Sequence, residues 1–260
     1  MQVLGIDIGG SGIKGAVVDT DTGELATGRH RLPTPQPATP EAMLKSMADI
    51  VDGFGWQGPI GCGFPAAVKH GIVHTAANVS DKWIGFNLQQ SLVEVTGCRT
   101  VVLNDADAAG LAEMRFGAGR DQADVVLVVT LGTGIGTALF VGGRLVPNLE
   151  LGHIEIGGVE AEDWAAAVVR QQSRLSWKQW GKRVNKYLGT MEQLLWPDLI
   201  IIGGGVSRRH DKFFHFLTLQ TRVVPAEMRN EAGIVGAALA TTLRFGQDLW
   251  ASPQWAGFTG

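Results

Sequence analysis

Apolar and polar positions along the chain fall into short blocks separated by glycine. Val3-Leu4-Gly5-Ile6 is an apolar run ending at Asp7. Four glycines follow within seven residues (Gly9, Gly10, Gly12 and Gly15), with Ser11 and Lys14 between them, and Ala16-Val17-Val18 closes the stretch. This predicts a buried strand, a tight turn and a return strand, because glycine permits the positive φ angles of such turns. Val128–Val141 repeats the design, with Gly132-Thr133-Gly134-Ile135-Gly136 in the turn. Each copy leads to a further turn, Asp21-Thr22-Gly23 and Gly142-Gly143. A glycine turn without side chains lets backbone N–H groups and a hydroxyl approach a phosphate, and Lys14 adds charge. It serves equally as an ordinary hairpin. The recurrence favours the phosphate reading.

Between and after these hairpins the pattern alternates between strands and helices. Glu24–Leu32 predicts a third strand. Thr39 is placed to cap a helix whose first position is Pro40, with Met43, Leu44, Met47, Ile50 and Val51 on one face. Pro59–Phe64 reads as a short strand, His70–Asn87 as irregular and Leu88–Val95 as helical. Val101-Val102-Leu103 is a strand ending at Asn104-Asp105, and the alanine-rich Ala106–Phe116 continues as a helix. Ser176 and Gln179 have capping-box spacing before Trp177, Trp180, Val184, Leu188, Met191 and Leu195, and Pro197 stops that helix. Leu199–Ile202 is a strand running into Gly203-Gly204-Gly205, and Gly233–Leu243 is a last helix. The predicted class is α/β with a duplicated sheet and two lobes flanking a cleft. The division expected is 1–105 as a small lobe rejoined by helix 233–245, 106–232 as a large lobe, and 246–260 as a tail. Ligands of such sheets sit at the carboxyl ends of strands. Asp7, Asn104-Asp105, the Thr130–Gly136 turn and Gly203–Gly205 all follow apolar strands.

Composition changes the picture little. Of the 260 residues 45% are hydrophobic and 18% charged, which is a globular balance. No apolar run approaches the roughly 18 residues of a membrane span, and no basic segment leads into an apolar one at the start. The net charge of −3 argues against broad nucleic-acid binding. The two cysteines, Cys62 and Cys98, form neither a metal cluster nor a disulfide framework, which suits the cytoplasm.

Asp105 is the candidate general base. A carboxylate at a strand end, beside an amide and ahead of a small-residue helix, can accept a hydroxyl proton as that oxygen attacks phosphorus. It can equally cap the helix. Glu150 and His153, three residues apart in a polar turn, could join Asn104 in bracing sugar hydroxyls, which both donate and accept. A metal role for His153 is weaker, since it lacks a partner histidine or nearby cysteines. Lys178, Lys182 and Lys186, with Arg183 beside them, share a helix face that is either solvated or a track for a polyanion. Arg208-Arg209 could belong to either setting.

The blocks LGIDIGGSGIKG, GFPAAVKHGIV, LNDADAAGLAE, LGTGIGTALF, NLELGH and IIGGGVS follow one another as in the ROK family of sugar kinases. The chain resembles that family from about Val3 to Leu243, and within it the members that phosphorylate glucose from inorganic polyphosphate. The resemblance implies an actin-like, hexokinase-type (ribonuclease H-like) fold and a homodimer. It makes Asp105 the catalytic base, and it makes Asn104, Glu150, His153 and Glu162 sugar ligands, with Glu160 close enough to compete with Glu162. Gly9, Gly10, Ser11, Gly12 and Lys14, and Gly132, Thr133, Gly134 and Gly136, become phosphate contacts, with Gly203–Gly205 facing a nucleotide. Asp7 would lie near Mg2+, through water. The zinc cluster of many relatives is missing its cysteines here, so no zinc is expected, and Ala66 stands where many relatives have glycine. The stretch from Ala76 to Gly85 supplies Lys82 as a further candidate donor contact. Implied partners are a sugar and polyphosphate or ATP, with no nucleic acid and no membrane. The readings left open are a polyphosphate-dependent glucokinase, an ATP-dependent hexose or amino-sugar kinase, and a sugar-sensing regulator. A hairpin starting at residue 3 leaves the last without room for a DNA-binding domain ahead of it.

Overall fold

The computed structural model describes residues 1–77 and 79–245. Two compact units are present, Met1–Ala112 joined by the segment from Glu231, and Glu113–Asn230. The first unit opens with β1 (Gln2–Gly9), β2 (Gly12–Asp19), β3 (His30–Leu32), α1 (Pro40–Gly53) and β4 (Ile60–Phe64). The small hairpin β5 (Val68–Lys69) and β6 (Ile72–Val73) follows, then α2 (Leu88–Thr96), β7 (Thr100–Asn104) and α3 (Asp105–Phe116), which carries the chain onward. Its sheet has the order β3-β2-β1-β4-β7. The hairpin of β1 and β2 is antiparallel, and β4 and β7 run parallel to β1.

The second unit contains β8 (Val126–Leu131), β9 (Ile135–Val141), β10 (Arg144–Val146), α4 (Ala161–Ala165), α5 (Ala167–Gln172), α6 (Trp177–Leu195), β11 (Leu199–Gly203) and β12 (Arg222–Pro225). Its sheet order is β10-β9-β8-β11-β12, again an antiparallel hairpin followed by two parallel strands. The duplication read from the two glycine hairpins therefore extends to whole sheets. α7 (Ala232–Phe245) returns the chain to the first unit and packs on β1, β4 and β7.

Local chemistry explains most of these elements. Thr39 accepts from the N–H of Ala42 at 3.4 Å, capping α1, and Met43, Met47, Ile50 and Val51 are buried beneath it. Ser176 and Gln179 form the full capping box of α6. Gly61 and Gly236 serve close approach: a Cβ at Gly61 would run into the backbone of Ala237, and one at Gly236 into that of Ala108. Two glycines thus let α7 lie on β4 and against α3, which begins at Asp105.

One expectation needs correction, and other features carry no signal in the sequence. The third strand is limited to His30–Leu32 plus a single bridge from Leu25 to Val18, because the Thr27 hydroxyl takes the Val17 N–H that a longer ladder would use. The short helices α4 and α5 and the edge strand β12, which ends in proline, had no periodic signal long enough to reveal them. Trp83, in the stretch singled out for donor contacts, is fully buried and donates its indole N–H to the Ala38 carbonyl at 2.9 Å. It is core. Asn78 and the tail after Phe245, including Trp250 and Trp255, lie outside the described residues.

Candidate active site

The first glycine turn joins β1 to β2, with Gly9 opposite Gly12. Neither it nor the second turn contains a glycine with positive φ among the described residues, so these turns do not require glycine for its left-handed backbone. At Gly12 a Cβ would fall 2.7 Å from Nε of Arg31, the far end of a long side chain that could shift to accommodate it. Arg31 donates to the Ser11 carbonyl at 3.1 Å, and Thr34 donates to the Gly9 carbonyl at 2.6 Å. Sequence reasoning missed both, because only the β2–β3 register brings them to the turn. The Ser11 hydroxyl is exposed and takes no protein partner among the described residues. Asp7 pairs in register with Lys14, whose Nζ lies 3.2 Å from its carboxylate. Lys14 is therefore engaged with Asp7. A Cβ at Gly233 would sit 2.6 Å from Oδ1 of Asp7, so α7 leaves room for that carboxylate. A hard carboxylate oxygen in such a position suits Mg2+.

The carboxyl ends of β1, β4 and β7 lie side by side, with Asp7 opposite Gly63 and Phe64 opposite Asn104. Asn104 is 7% exposed, and its Oδ1 accepts from the N–H groups of Ala106 and Asp107 at 2.8 and 3.0 Å. It therefore caps α3, while its Nδ2 donates to the Ala66 carbonyl at 3.2 Å. The capping role available to Asp105 is filled by its neighbour. Asp105 is half-buried, and its Oδ1 accepts from Ala106 N at 2.8 Å.

In the second unit Glu150, His153, Glu160 and Glu162 converge. His153 Nδ1 lies 2.9 Å from Glu160 and 3.7 Å from Glu162, and Nε2 lies 3.5 Å from Glu150. Burial pushes the His153 pKa down, yet the three carboxylates outweigh it and the net shift is upward. Burial raises the Glu150 pKa, and Glu162 adds to that effect while His153 opposes it. The loop is built to hold this geometry. The buried Thr137 hydroxyl donates to the Leu149 carbonyl at 2.6 Å and accepts from Leu151 N at 3.2 Å. Tyr187, its hydroxyl pKa raised by burial, donates to the Leu151 carbonyl at 3.4 Å. A Cβ at Gly152 would meet the Ile135 carbonyl, so glycine is needed for the loop to sit on β9. Glu162 is the more enclosed of the two competing glutamates and accepts from Ile135 N at 3.2 Å, tying this cluster to the second glycine turn. His153, Glu160 and Glu162 bring one ligand atom each to within 4.8 Å of one another, a spacing a cation could bridge.

The second glycine turn connects β8 to β9. Gly132 donates to the Gly134 carbonyl and accepts from Val168 N, both at 3.0 Å, and the exposed Thr133 hydroxyl has no protein partner among the described residues. Gly204, at φ +79°, follows β11, and a Cβ there would run into the backbone of Leu131. This places Gly203–Gly205 beside the turn. Both border a cavity of about 600 Å³ whose walls include Gly132, Thr133, Arg170, Trp177, Gly205 and Arg209. On α6, Lys178 and Lys182 are exposed, whereas Arg183 donates to the Trp164 carbonyl at 3.0 Å and Lys186 Nζ lies 5.3 Å from the Trp164 ring. Lys82 is exposed in the first unit.

Comparison with known proteins places these features in a group. The ROK family model matches residues 3–166. A polyphosphate glucokinase from Mycobacterium tuberculosis strain H37Rv is 52% identical over 92% of this chain and 90% of its own length. The crystal structure of an inorganic polyphosphate/ATP-glucomannokinase from Arthrobacter sp. strain KM superposes with a TM-score of 0.91 at 47% identity, covering 94% of this chain and 99% of that one. A ROK family glucokinase from Streptomyces griseus, in complex with glucose and AMPPNP, gives a TM-score of 0.79 at 25% identity, covering 92% of this chain and 98% of that one.

Proposed function

The chain belongs to the ROK family, and from that premise we propose that it phosphorylates the 6-hydroxyl of glucose, using inorganic polyphosphate and, as a second donor, ATP. The observation that carries this reading is 52% identity to a polyphosphate glucokinase sustained over 92% of the chain. In the transfer, the 6-hydroxyl oxygen bonds to the terminal phosphorus as the bond from that phosphorus to its bridging oxygen breaks. The hydroxyl proton passes to Asp105, and the bridging oxygen leaves on the shortened polymer or on ADP. Asn104 fixes the strand–helix junction that presents Asp105. With Glu150, His153 and Glu162 it holds sugar hydroxyls, and a charged His153 makes both ring nitrogens donors. The turns Gly9–Gly12 and Gly132–Gly136 take donor phosphates, helped by the Ser11 and Thr133 hydroxyls, and Gly203–Gly205 face the nucleotide when ATP is the donor.

Mg2+ fits Asp7, which would hold it through water, and when bound it neutralises charge on the donor phosphates. No zinc is proposed, because the cysteines of the family's zinc cluster are missing from this sequence. The homodimer is proposed from the family resemblance, and the cytoplasm from two free, buried cysteines. Among the described residues no helix is long and apolar enough to cross a membrane.

The test is the initial rate of glucose 6-phosphate formation with magnesium, with long-chain polyphosphate or ATP as the sole donor. Turnover on polyphosphate supports the proposal. Turnover on ATP alone would make the protein an ATP-dependent ROK hexokinase.

A further inference from the structure

The sugar cluster and the second glycine turn share one short stretch of backbone, the start of β9. Ile135 opens that strand and closes the turn, paired in register with Leu131. Its N–H donates to Oε2 of Glu162 at 3.2 Å, while Oε1 of the same carboxylate lies 3.7 Å from Nδ1 of His153. Its carbonyl lies against the loop that carries Glu150 and His153, since a Cβ at Gly152 would meet it. The opposite side of the turn is held by the segment that follows Glu162: the Gly132 carbonyl accepts from Val168 N at 3.0 Å. The turn is thus fastened on both sides to the residues placed around the sugar.

Thr137, two residues further along β9, makes the closest tie. It is 1% exposed and pairs with Val129 of β8. Valine would suit that buried strand position equally well, and burying a hydroxyl costs free energy unless it is bonded. The two bonds that offset the cost run to the sugar loop, one to the Leu149 carbonyl at 2.6 Å and one from Leu151 N at 3.2 Å. These belong to the peptide groups on either side of Glu150, so one oxygen fixes the backbone of that residue from both sides. Glu150 itself makes no capping bond to the short helical turn Leu151–His153 among the described residues. The Thr137 hydroxyl takes that place by accepting from its first N–H.

On the sugar role given above to Glu150, His153 and Glu162, we propose that the start of β9 couples the sugar site to the second glycine turn, with Thr137 as the positioning residue of the link. A sugar that fixes the loop also fixes Ile135 and Thr137, and with them the turn that takes donor phosphate. By linkage, a bound donor tightens the sugar by the same factor. The link serves either donor, so it does not depend on the choice between polyphosphate and ATP.

The test compares wild type with Thr137→Val, Thr137→Ser and Tyr187→Phe. Glucose Kd without donor is measured by calorimetry, and glucose KM from initial rates at saturating long-chain polyphosphate, or saturating ATP where wild type turns over ATP alone. The ratio of Kd to KM reports the coupling, and about fivefold is expected in wild type. Thr137→Val leaves two loop groups without their partner and should weaken glucose Kd about tenfold. Its ratio should fall to about twofold or less, with Glu162 carrying the remainder. Its kcat should change less than about threefold, because Asp105 and Asn104 lie in the first unit. Thr137→Ser keeps the hydroxyl and should restore both quantities. Tyr187→Phe frees the Leu151 carbonyl from α6 without touching β9, so it should weaken glucose and keep the ratio. Thr137→Ala frees the same loop groups without added bulk and stands in if the valine variant fails to fold. A wild-type ratio near one, a ratio that survives loss of the Thr137 hydroxyl, or a ratio lost equally in Tyr187→Phe would overturn the link. A wild type that binds no glucose would remove the sugar reading instead, and that result is seen before any variant is compared.

Discussion

The two glycine turns occupy the same place in two sheets of the same topology, yet they are dressed differently. The first, Gly9–Gly12, is closed from its own unit by Arg31 and Thr34, which hold the carbonyls of Ser11 and Gly9. Its nearby cation, Lys14, is paired with Asp7. The second, Gly132–Gly136, borders an open cavity with two arginines and is tied through Glu162 to the His153 cluster. Each turn leaves one hydroxyl, Ser11 or Thr133, exposed and without a protein partner among the described residues. Duplication of the sheet supplies the strand, turn and exposed hydroxyl. The residues arriving from outside the hairpin decide what each copy can bind. On the proposed function, the unit of the first turn supplies the base and the unit of the second supplies most of the sugar contacts.

The sharpest way to break this division of labour is at Asp105, in the unit of the first turn. Because Asn104 does the capping, Asp105→Asn should leave stability and glucose affinity near wild type while lowering kcat by about 10²-fold or more. Near-normal kcat would remove Asp105 from the role of base, and a large fall in Tm would show that it is a structural residue. Next in size is Gly204→Ala. It combines positive φ with a Cβ directed at the Leu131 backbone. A cost of about 1–2 kcal/mol or more is expected, with roughly 2–4 °C of Tm for each kcal/mol, and donor KM should rise while glucose KM holds. An unchanged Tm would mean that the second turn tolerates displacement.

A subtler effect is expected at Glu160. Its carboxylate is one of three that raise the His153 pKa. With the folded value raised, the stabilisation from this cluster is complete below the ordinary histidine value of about 6.5 and is lost as pH rises through the folded value. Glucose KM should climb over the same interval. Glu160→Gln should move that climb to lower pH, and the conservative Glu160→Asp should partly restore it. A pH profile identical to wild type would mean that His153 does not hold sugar as a cation. The smallest change expected is for charge reversal of Lys178 and Lys182, which are exposed and screened. A rise of about twofold to threefold in polyphosphate KM at low salt is expected, with ATP unaffected. A larger effect would extend the polymer path along α6.

What was legible in the sequence was what local pattern controls. Thr39, Pro40, Ser176 and Gln179 announced helix starts, apolar runs announced strands, and the repeated glycine turn announced the duplicated sheet. The strand-end positions of Asn104 and Asp105 followed from the same pattern, whereas Asp7 lies inside β1, which runs on to Gly9. What escaped depended on pairs distant in sequence. Arg31 reaches the first turn only through β-sheet register, and Thr27 shortens the third strand by taking the Val17 N–H. The spacing of Lys178, Lys182 and Lys186 correctly suggested one face, but nothing local could show that Trp164 draws Arg183 and Lys186 to itself. Glu160 and Glu162 stand only two residues apart, so sequence alone does not separate them, and the fold brings both to the same imidazole, one by a short hydrogen bond and the other while also bracing the second turn.

The most direct test of the account is a phosphorus-31 spectrum of long-chain polyphosphate incubated with glucose, magnesium and the protein, with no nucleotide present. The account predicts a growing glucose 6-phosphate resonance matched by an equal loss of polymer phosphate. A polymer that stays intact under conditions where ATP yields glucose 6-phosphate would contradict it.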